Sequence, residues 1–212
     1  MIICFDLDGT LIDTEDWIIN ALKVSFKKNK KKFPGKKKIF ENWGLNSRSL
    51  IKKATPELTR KEIENIRINF YEIRDKTINT IKPFKNTKRI LKQLSKKHDL
   101  AIVSNNSHKE ILKIMKATKL DKKLFEVIIG DDEVKKAKPF PDEIYATEKK
   151  LKKKVKFLVG DTIQDIKTAK AAKVKSIIIK TGPKTSWKNL KKADFIINDI
   201  TELQKIIKEA QQ

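Results

Sequence analysis

Cysteine is almost absent from the 212-residue sequence, which contains Cys4 and no other. A single cysteine excludes an internal disulfide, so the sequence predicts a protein of a reducing compartment, the cytoplasm. No apolar run is long enough to predict a helix that spans a bilayer. The sequence also begins without a basic leader and a cleavage-type segment, and we therefore expect no export signal and no membrane partner.

Arginine is also scarce, although the chain is strongly basic. The formal net charge is +23, yet only five of the 50 basic residues are arginines, and the lysines are spread along the whole chain. Arginine has the planar fork that reads phosphates and bases, so this pattern argues against nucleic acid as a partner. A lysine-rich surface from compositional bias is the simpler interpretation. A positive field would also speed the capture of small anionic substrates.

Short apolar runs alternate with helical patterns over most of the chain. This alternation predicts an α/β fold, in which a Rossmann-like, doubly wound parallel sheet is covered by helices on both faces. The apolar runs occupy residues 1–5, 100–103, 127–129, 155–159, 176–179 and 195–197, and the later helical patterns occupy residues 107–116, 141–152, 162–172, 185–192 and 200–209.

One long segment, residues 15–81, interrupts the alternation. Apolar residues recur there at helical spacing, in residues 18–26 and again in residues 63–73, with no strand-like run between them. Pro56 predicts the start of a helix within this segment. We therefore predict a core domain formed by residues 1–14 and 82–212, with a small α-helical cap domain inserted at residues 15–81.

Polar residues cluster where the predicted strands end. Ligands of doubly wound sheets bind at the carboxyl ends of the strands, so side chains at these ends are expected to meet. Carboxylates, a hydroxyl and a lysine together suit phosphoryl transfer, which needs a nucleophile, a proton carrier, a metal and positive charge. Asp6 and Asp8 follow the first strand, Ser104 and Asn105 the second, Lys138 lies after the third, and Asp161 follows the fourth.

These residues resemble the four motifs of the haloacid dehalogenase-like superfamily, in the order of that family and across nearly the whole chain. The first motif is Asp6-Leu7-Asp8-Gly9-Thr10-Leu11, and the second is Ser104. The third is Lys138-Pro139-Phe140-Pro141, and the fourth is Gly160-Asp161-Thr162-Ile163-Gln164-Asp165. The helical segment after the first motif is similar to the cap of phosphoglycolate phosphatases.

The resemblance implies a role for each motif residue. Asp6 would attack phosphorus and form an aspartyl-phosphate, while Asp8 would protonate the leaving oxygen and then activate water. Ser104 and Lys138 would complete the catalytic set by holding the phosphoryl group and neutralising its charge. Thr10 and Asn105 are further expected contacts of the substrate.

The resemblance also implies Mg²⁺ as the cofactor. The ion would be held by the Asp6 carboxylate, the Asp8 backbone carbonyl and the Asp161 carboxylate. Asp165 would be either a further ligand or a partner of the ligands.

Asp8 bears on the reaction, because members of the superfamily that cleave carbon–halogen bonds lack an aspartate at this position. The resemblance therefore implies hydrolysis of a small phosphorylated metabolite, such as phosphoglycolate or a sugar phosphate. Arg48 is the candidate contact for a second anion of that substrate. No pattern in the sequence predicts the oligomeric state.

Two alternative functions remain at this point. The first is a phosphotransferase that resembles β-phosphoglucomutase, which Ile18 disfavours because that subgroup has a histidine about there in the first cap helix. The second is a basic nucleic-acid-binding protein, or a phosphatase of nucleic-acid ends, on the same scaffold. The complete set of motif residues argues against a binding protein that has lost its activity.

Overall fold

A sheet of six parallel strands forms the centre of the protein, which the computed structural model describes over residues 1–182 and 190–209. All six strands predicted from apolar runs are confirmed, because strands buried on both faces need such runs. Two further short strands pair with each other outside this sheet. In chain order the strands are β1 (Ile2–Phe5), β2 (Ile12–Asp13), β3 (Lys82–Pro83), β4 (Asp99–Ser104), β5 (Val127–Gly130), β6 (Val155–Gly160), β7 (Lys175–Ile179) and β8 (Phe195–Ile197).

The strand order in the large sheet is β5-β4-β1-β6-β7-β8. Starting from β1, the chain adds β4 and β5 on one side of the sheet, and then crosses over to add β6, β7 and β8 on the other side. β1 pairs with both β4 and β6, so that Cys4 lies beside Ala101 on one side and Leu158 on the other. Ligands of such sheets bind at the switch point where the strand order reverses, which here is between β1 and β6.

Helices cover both faces of the sheet, because successive side chains of a strand point to opposite faces. Ile3 and Phe5 belong to an apolar cluster on one face, and Ile2 and Cys4 to a cluster on the other. None of the helices in the described part of the chain is long and apolar enough to cross a bilayer. The helices are α1 (Glu15–Lys28), α2 (Lys36–Phe40), α3 (Ser47–Ala54), α4 (Arg60–Thr77), α5 (Thr87–Leu94), α6 (His108–Thr118), α7 (Asp142–Leu151), α8 (Ile163–Ala172) and α9 (Leu203–Glu209).

The bounds of the predicted core helices agree closely with the structure. The helices predicted at 107–116, 141–152 and 162–172 are α6, α7 and α8, each displaced by no more than two residues at either end. The last helical pattern begins as a short 3-10 turn, Ile200–Glu202, before it continues as α9. The helix predicted at 185–192 falls mostly on residues 183–189, which lie outside the described residues.

Helices α1 to α4 make up the segment 15–81, which we call the cap. They pack around an apolar cluster of their own, in which Leu22, Phe26, Ile51 and Ile66 are almost completely buried. This separate cluster supports the division of the chain into a core domain and a cap domain, which stays a proposal.

The start of α4 differs from the prediction based on Pro56. Pro56 lies in a turn, and α4 begins only at Arg60. Thr59 and Glu62 form a capping box, in which the Glu62 carboxylate accepts a hydrogen bond from the Thr59 backbone N–H at 2.8 Å. This pair satisfies backbone N–H groups that have no partner inside the helix, and so it sets the helix start.

The cap is joined to the core through the two short strands. β2 and β3 are antiparallel, with Ile12 opposite Pro83 and Asp13 opposite Lys82. The chain therefore enters and leaves the cap side by side.

Candidate active site

Asp6 lies at the switch point of the sheet, directly after β1. Its backbone N–H donates to the Val159 carbonyl of β6 at 2.8 Å, which fixes the residue at the ends of both strands. The residue is only 7% exposed. Burial raises the pKa of the Asp6 carboxyl to about 7, although the nearby Lys138 ammonium opposes this shift.

Lys138 lies in the loop between β5 and α7 and contacts two carboxylates. Its ammonium donates to Asp6 Oδ1 and, at 2.8 Å, to Asp165 Oδ1. Burial disfavours the charged ammonium, but the negative charges of Asp165 and Asp6 outweigh burial and hold the pKa of Lys138 above its ordinary value. The structure thus brings a permanent positive charge to Asp6, as expected from the motifs.

Asp161 and Asp165 follow β6 and form a group of three buried carboxylates with Asp6. One oxygen from each carboxylate lies within 4.8 Å of the other two. Thr10 Oγ1 donates to Asp161 Oδ1 at 2.9 Å, whereas Asp161 Oδ2 is buried and has no hydrogen-bond partner among residues 1–182 and 190–209. Burial, together with repulsion from Asp6 and Asp165, raises the pKa of Asp161 well above its ordinary value. An unpaired buried carboxylate is costly, and a bound cation would remove that cost.

The available oxygens fit Mg²⁺, which binds oxygen ligands and is commonly held by one or two carboxylates together with substrate phosphate. Asp161 Oδ2 is free, and Asp6 Oδ2 accepts only a long hydrogen bond of 3.4 Å from Thr10. Asp165 differs, because Oδ1 accepts from Lys138 and Oδ2 accepts from both the backbone N–H and the hydroxyl of Thr162. Asp165 therefore caps α8 and orients Lys138 in this structure.

Asp8 is joined to the turn after β4 by a residue that sequence reasoning missed. Asn106 Nδ2 donates to Asp8 Oδ2, while the other oxygen of Asp8 is buried and has no hydrogen-bond partner among the described residues. The backbone N–H of Asn106 donates to Ser104 Oγ at 3.3 Å, so that Ser104, which is 2% exposed, lies in the same group. The available signal was position, because Asn106 directly follows the predicted pair Ser104-Asn105.

Asn105 connects the core to the cap. Its Nδ2 donates to the backbone carbonyl of Gly44 in the cap at 2.6 Å and to that of Lys138 at 3.2 Å. Asn105 also lines the cavity described next, so its position is compatible with the expected substrate contact.

A cavity of about 80 Å³ lies between the cap and the ends of β1, β4 and β6. Thr10, an expected contact of the substrate, is buried and does not line the cavity, and its hydroxyl contacts Asp161. Arg48 does not line the cavity, because it pairs with Glu64 at 2.8 Å on the surface and its side chain is 56% exposed. The core contributes Asp6, Asp8, Ser104, Asn106, Lys138 and Asp165 to the wall, and the cap contributes Ile18, Leu50, Phe70 and Arg74 among others.

Arg74 is a second residue that sequence reasoning missed. It is 2% exposed and lies on α4, where it continues the buried face formed by Ile63, Ile66 and Phe70. An arginine in register with an apolar face was the available signal, since a buried charge needs a reason.

Glu143 is a third missed residue and lies in the first turn of α7, five positions after Lys138. It is completely buried, and in the part of the chain that the structure describes neither carboxyl oxygen has a hydrogen-bond partner. Burial raises the pKa of the Glu143 carboxyl to about 8, although the Lys138 ammonium opposes the shift.

The arrangement can carry out a displacement at phosphorus. A carboxylate beside an ammonium, Asp6 with Lys138, can act as a nucleophile toward an anionic group whose charge the ammonium offsets. A second carboxylate two residues away, Asp8, faces the same cavity with one free oxygen and can transfer a proton.

Comparison with known proteins identifies relatives over most of the chain. The model of the family described as haloacid dehalogenase-like hydrolase matches residues 3–179. The bifunctional riboflavin kinase/FMN phosphatase of Arabidopsis thaliana is 28% identical over 95% of this chain, which spans only 54% of that protein. A pyrophosphatase of Halalkalibacterium halodurans is 29% identical over 84% of this chain and 82% of its own length. A phosphoglycolate phosphatase of Photorhabdus laumondii is 30% identical over 80% of this chain and 76% of its own length.

The architecture also matches solved structures. A haloacid dehalogenase-like hydrolase of Bacteroides fragilis superimposes with a TM-score of 0.86 over 95% of this chain and 98% of its own. The two sequences are 23% identical, so this match establishes the fold.

Proposed function

The chain belongs to the haloacid dehalogenase-like hydrolase family and is a phosphatase, and we propose that it hydrolyses a small phosphomonoester with Asp6 as the nucleophile. The observation that carries the proposal is that Asp6 and Asp8, two aspartates at one strand end, have partners of different charge. Asp6 contacts the Lys138 ammonium, and Asp8 contacts the neutral amide of Asn106. Asp6 is thus suited to attack, and Asp8 to carry a proton.

In the first step, an oxygen of the Asp6 carboxylate forms a bond to phosphorus while the bond from phosphorus to the leaving oxygen breaks. Asp8 gives its proton to that leaving oxygen. Lys138 offsets the charge that gathers on Asp6 and on the phosphoryl oxygens, and Ser104 with nearby N–H groups holds the phosphoryl group in place.

In the second step, a water oxygen attacks the phosphorus of the aspartyl-phosphate. Asp8 takes a proton from this water, the bond between phosphorus and Asp6 breaks, and inorganic phosphate leaves. The cap covers the site and excludes bulk water from the intermediate.

Mg²⁺ is the proposed cofactor, held by Asp6, Asp161 and the Asp8 backbone carbonyl. When bound, it supplies positive charge to the transferred phosphoryl group and orients that group. The unpaired Asp161 Oδ2 supports this assignment, because it is a buried oxygen that accepts no hydrogen bond from any residue that the structure describes.

The substrates of the relatives suggest where to search. Phosphoglycolate and pyrophosphate are the first candidates, because the relatives are named phosphoglycolate phosphatase and pyrophosphatase, and sugar phosphates remain candidates from the sequence resemblance. A screen of phosphorylated metabolites in the presence of Mg²⁺ would identify the substrate.

Asp6→Asn tests the proposed function, with p-nitrophenyl phosphate as a generic substrate. The amide is a poor nucleophile, so phosphate release should fall to the level of the uncatalysed reaction, while circular dichroism shows a normal fold. Asp16→Asn is the matched control, because Asp16 is an aspartate of the cap whose side chain is 86% exposed, and its activity should stay unchanged. Turnover that survives in Asp6→Asn would rule out Asp6 as the nucleophile.

The same assay tests the cofactor. EDTA should stop phosphate release by the unmodified protein, and added Mg²⁺ should restore it. Undiminished turnover in EDTA would contradict the proposed metal site but not the role of Asp6.

A further inference from the structure

The guanidinium of Arg74 is buried at the boundary of cap and core. It stacks over the Trp17 ring at 4.3 Å from the ring centroid, and it lies within 5.5 Å of the ring centroids of Phe70 and Tyr71. Nη1 donates to Asn106 Oδ1 at 3.3 Å. Nε and Nη2 are buried and have no hydrogen-bond partner in the described part of the chain.

This environment leaves a positive charge without an anion. A buried guanidinium is a cation with five N–H donors, and burial is costly unless other groups pair with it. Aromatic faces attract the cation, but they do not accept from the N–H groups at its edge. Arg48 and Arg67 both pair with Glu64, whereas no carboxylate among residues 1–182 and 190–209 pairs with Arg74.

We propose that Arg74 binds a second anionic group of the substrate, a carboxylate or a phosphate carried by the leaving group. This inference rests on the proposed function and narrows its substrate class. Arg74 lines the same cavity as Asp6 and Asp8, so a ligand in the cavity can reach all three residues. An anion there would accept from the free N–H groups and neutralise the buried charge, and Arg–carboxylate and Arg–phosphate contacts are among the strongest in proteins.

The position of Asn106 limits the length of that leaving group. The Asn106 amide accepts from Arg74 with its oxygen and donates to Asp8 with its nitrogen. One amide group therefore separates the guanidinium from the carboxylate that protonates the leaving oxygen. The second anion must lie within a few bonds of the leaving oxygen, as in a two-carbon phosphorylated carboxylate or in pyrophosphate. A neutral sugar would leave Arg74 unpaired.

The test compares substrates that differ only in the second anion. Phosphoglycolate and ethyl phosphate have the same two-carbon skeleton, and the second lacks the carboxylate. The unmodified protein should have a higher kcat/KM for phosphoglycolate or for pyrophosphate than for ethyl phosphate, and the better of the first two identifies the anion. A preference for ethyl phosphate over both would overturn the proposal without any variant.

Arg74→Gln should lower kcat/KM for the preferred anionic substrate by about 10- to 100-fold, the loss expected for hydrogen bonds to a charged group. The same variant should change kcat/KM for ethyl phosphate by less than about threefold, since no contact of that substrate is lost. Arg67→Gln is the matched control, because Arg67 is on the same helix, stacks on Tyr71 and does not line the cavity. Equal losses for both substrates in Arg74→Gln would show that Arg74 only supports the packing of the cap.

Two outcomes separate this inference from the proposed function. Absence of hydrolysis of every substrate by the unmodified protein with Mg²⁺ would overturn the proposed function. Calorimetric binding of phosphoglycolate and ethyl phosphate in EDTA then still tests Arg74, because tighter binding of phosphoglycolate that Arg74→Gln abolishes would support the anion site and equal binding would refute it. If Arg74→Gln does not fold, Arg74→Lys replaces it in the same experiments, since lysine keeps the positive charge and lacks the planar guanidinium that can bind two oxygens at once.

Discussion

Opposite charges alternate among the buried residues at the end of β1. The Lys138 ammonium lies between the carboxylates of Asp6 and Asp165, and its charge makes two buried anions tolerable. Asp165 in turn is held by Thr162, so that the position of Lys138 depends on the first turn of α8. Asp6, the proposed nucleophile, is therefore placed by a chain of contacts that extends three residues beyond it, through Lys138, Asp165 and Thr162.

Glu143 gives a prediction about stability at the scale of one residue. Its pKa is raised from 4.5 to about 8 in the folded protein, so the fold favours the protonated carboxyl. The favourable contribution is complete below pH 4.5 and is lost as the pH rises through about 8. The glutamine of Glu143→Gln cannot titrate. As the pH rises from 4.5 to about 8, the free energy of unfolding of this variant should therefore increase relative to that of the unmodified protein, by up to about 1.4 kcal/mol per pH unit.

Urea unfolding of both proteins at pH 5, 6.5 and 8 measures this difference, and other titrating groups cancel because both proteins share them. Glu57→Gln is the control, because Glu57 is exposed in a turn of the cap and should give a constant difference. A constant difference for Glu143→Gln as well would show that Glu143 does not carry the shifted pKa.

Residues at strand ends could be predicted from the sequence, and residues at the boundary with the cap could not. Asp6, Ser104 and Asp161 follow apolar runs, and parallel strands necessarily bring their carboxyl ends to one edge. Arg74 and Asn106 meet only after the cap has packed on the core, and no local pattern encodes that contact. Arg48 was predicted to contact a second anion of the substrate, but in the structure it pairs with Glu64 on α4.

At the scale of elements, the loop between α2 and α3 brings the cap close to the start of α8. Gly44 in this loop has a φ of +84°, and a Cβ added there would lie 2.7 Å from Thr162 Oγ1. Thr162 cannot easily move, because its hydroxyl donates to Asp165 and caps α8. A side chain at position 44 would thus push the cap away from the core.

Gly44→Ala should lower kcat/KM for the physiological substrate by about tenfold or more, because a cap that is displaced by even 1 Å loses catalytic geometry. Gly35→Ala is the matched control. Gly35 also has a positive φ, +95°, but an added Cβ would meet nothing within 4 Å. Both variants should therefore lose about 1 kcal/mol of stability from backbone strain, and only Gly44→Ala should lose activity. Equal activities in the two variants would contradict a role for close contact between cap and core.

Elements of the core were easier to predict than elements of the cap. Continuous apolar runs identify buried parallel strands, and the helices between them need only a periodic apolar face. In the cap, the short helix α2 has three lysines in five residues and a single buried side chain, Ile39, so its pattern is too weak to detect. Pro56 led to a prediction of the start of α4 that was too early, because the capping pair Thr59 and Glu62 sets the start at Arg60.

At the scale of the whole molecule, the net charge of +23 acts on every anion that approaches. The field of many lysines raises the rate of encounter with anionic substrates, and salt screens it over about 8–10 Å at physiological ionic strength. The charges nearest the reacting atoms are buried and are screened much less.

Because salt screens the surface lysines more than the buried charges, kcat/KM and kcat should depend differently on salt. Raising the NaCl concentration from about 0.02 to 0.5 M should lower kcat/KM for an anionic substrate severalfold and leave kcat nearly unchanged, since only capture depends on the long-range field. Steady-state kinetics over this range, with K₂SO₄ avoided because sulfate competes with phosphate, provides the measurement. A parallel fall in kcat and kcat/KM would place the effect of salt in the site itself.

The pairing of β2 with β3, where the chain enters and leaves the cap, has a consequence for how such a protein can acquire new substrates. Because Ile12 faces Pro83 and Asp13 faces Lys82, the two junctions are fixed to each other whatever lies between them. We expect that a foreign segment whose ends lie one strand spacing apart, about 4.8 Å, can be inserted between β2 and β3 without moving Asp6 or Asp161. We therefore expect that exchange of residues 15–81 between relatives changes the preference for a leaving group and leaves Asp6, Lys138 and Asp161 of the core in place.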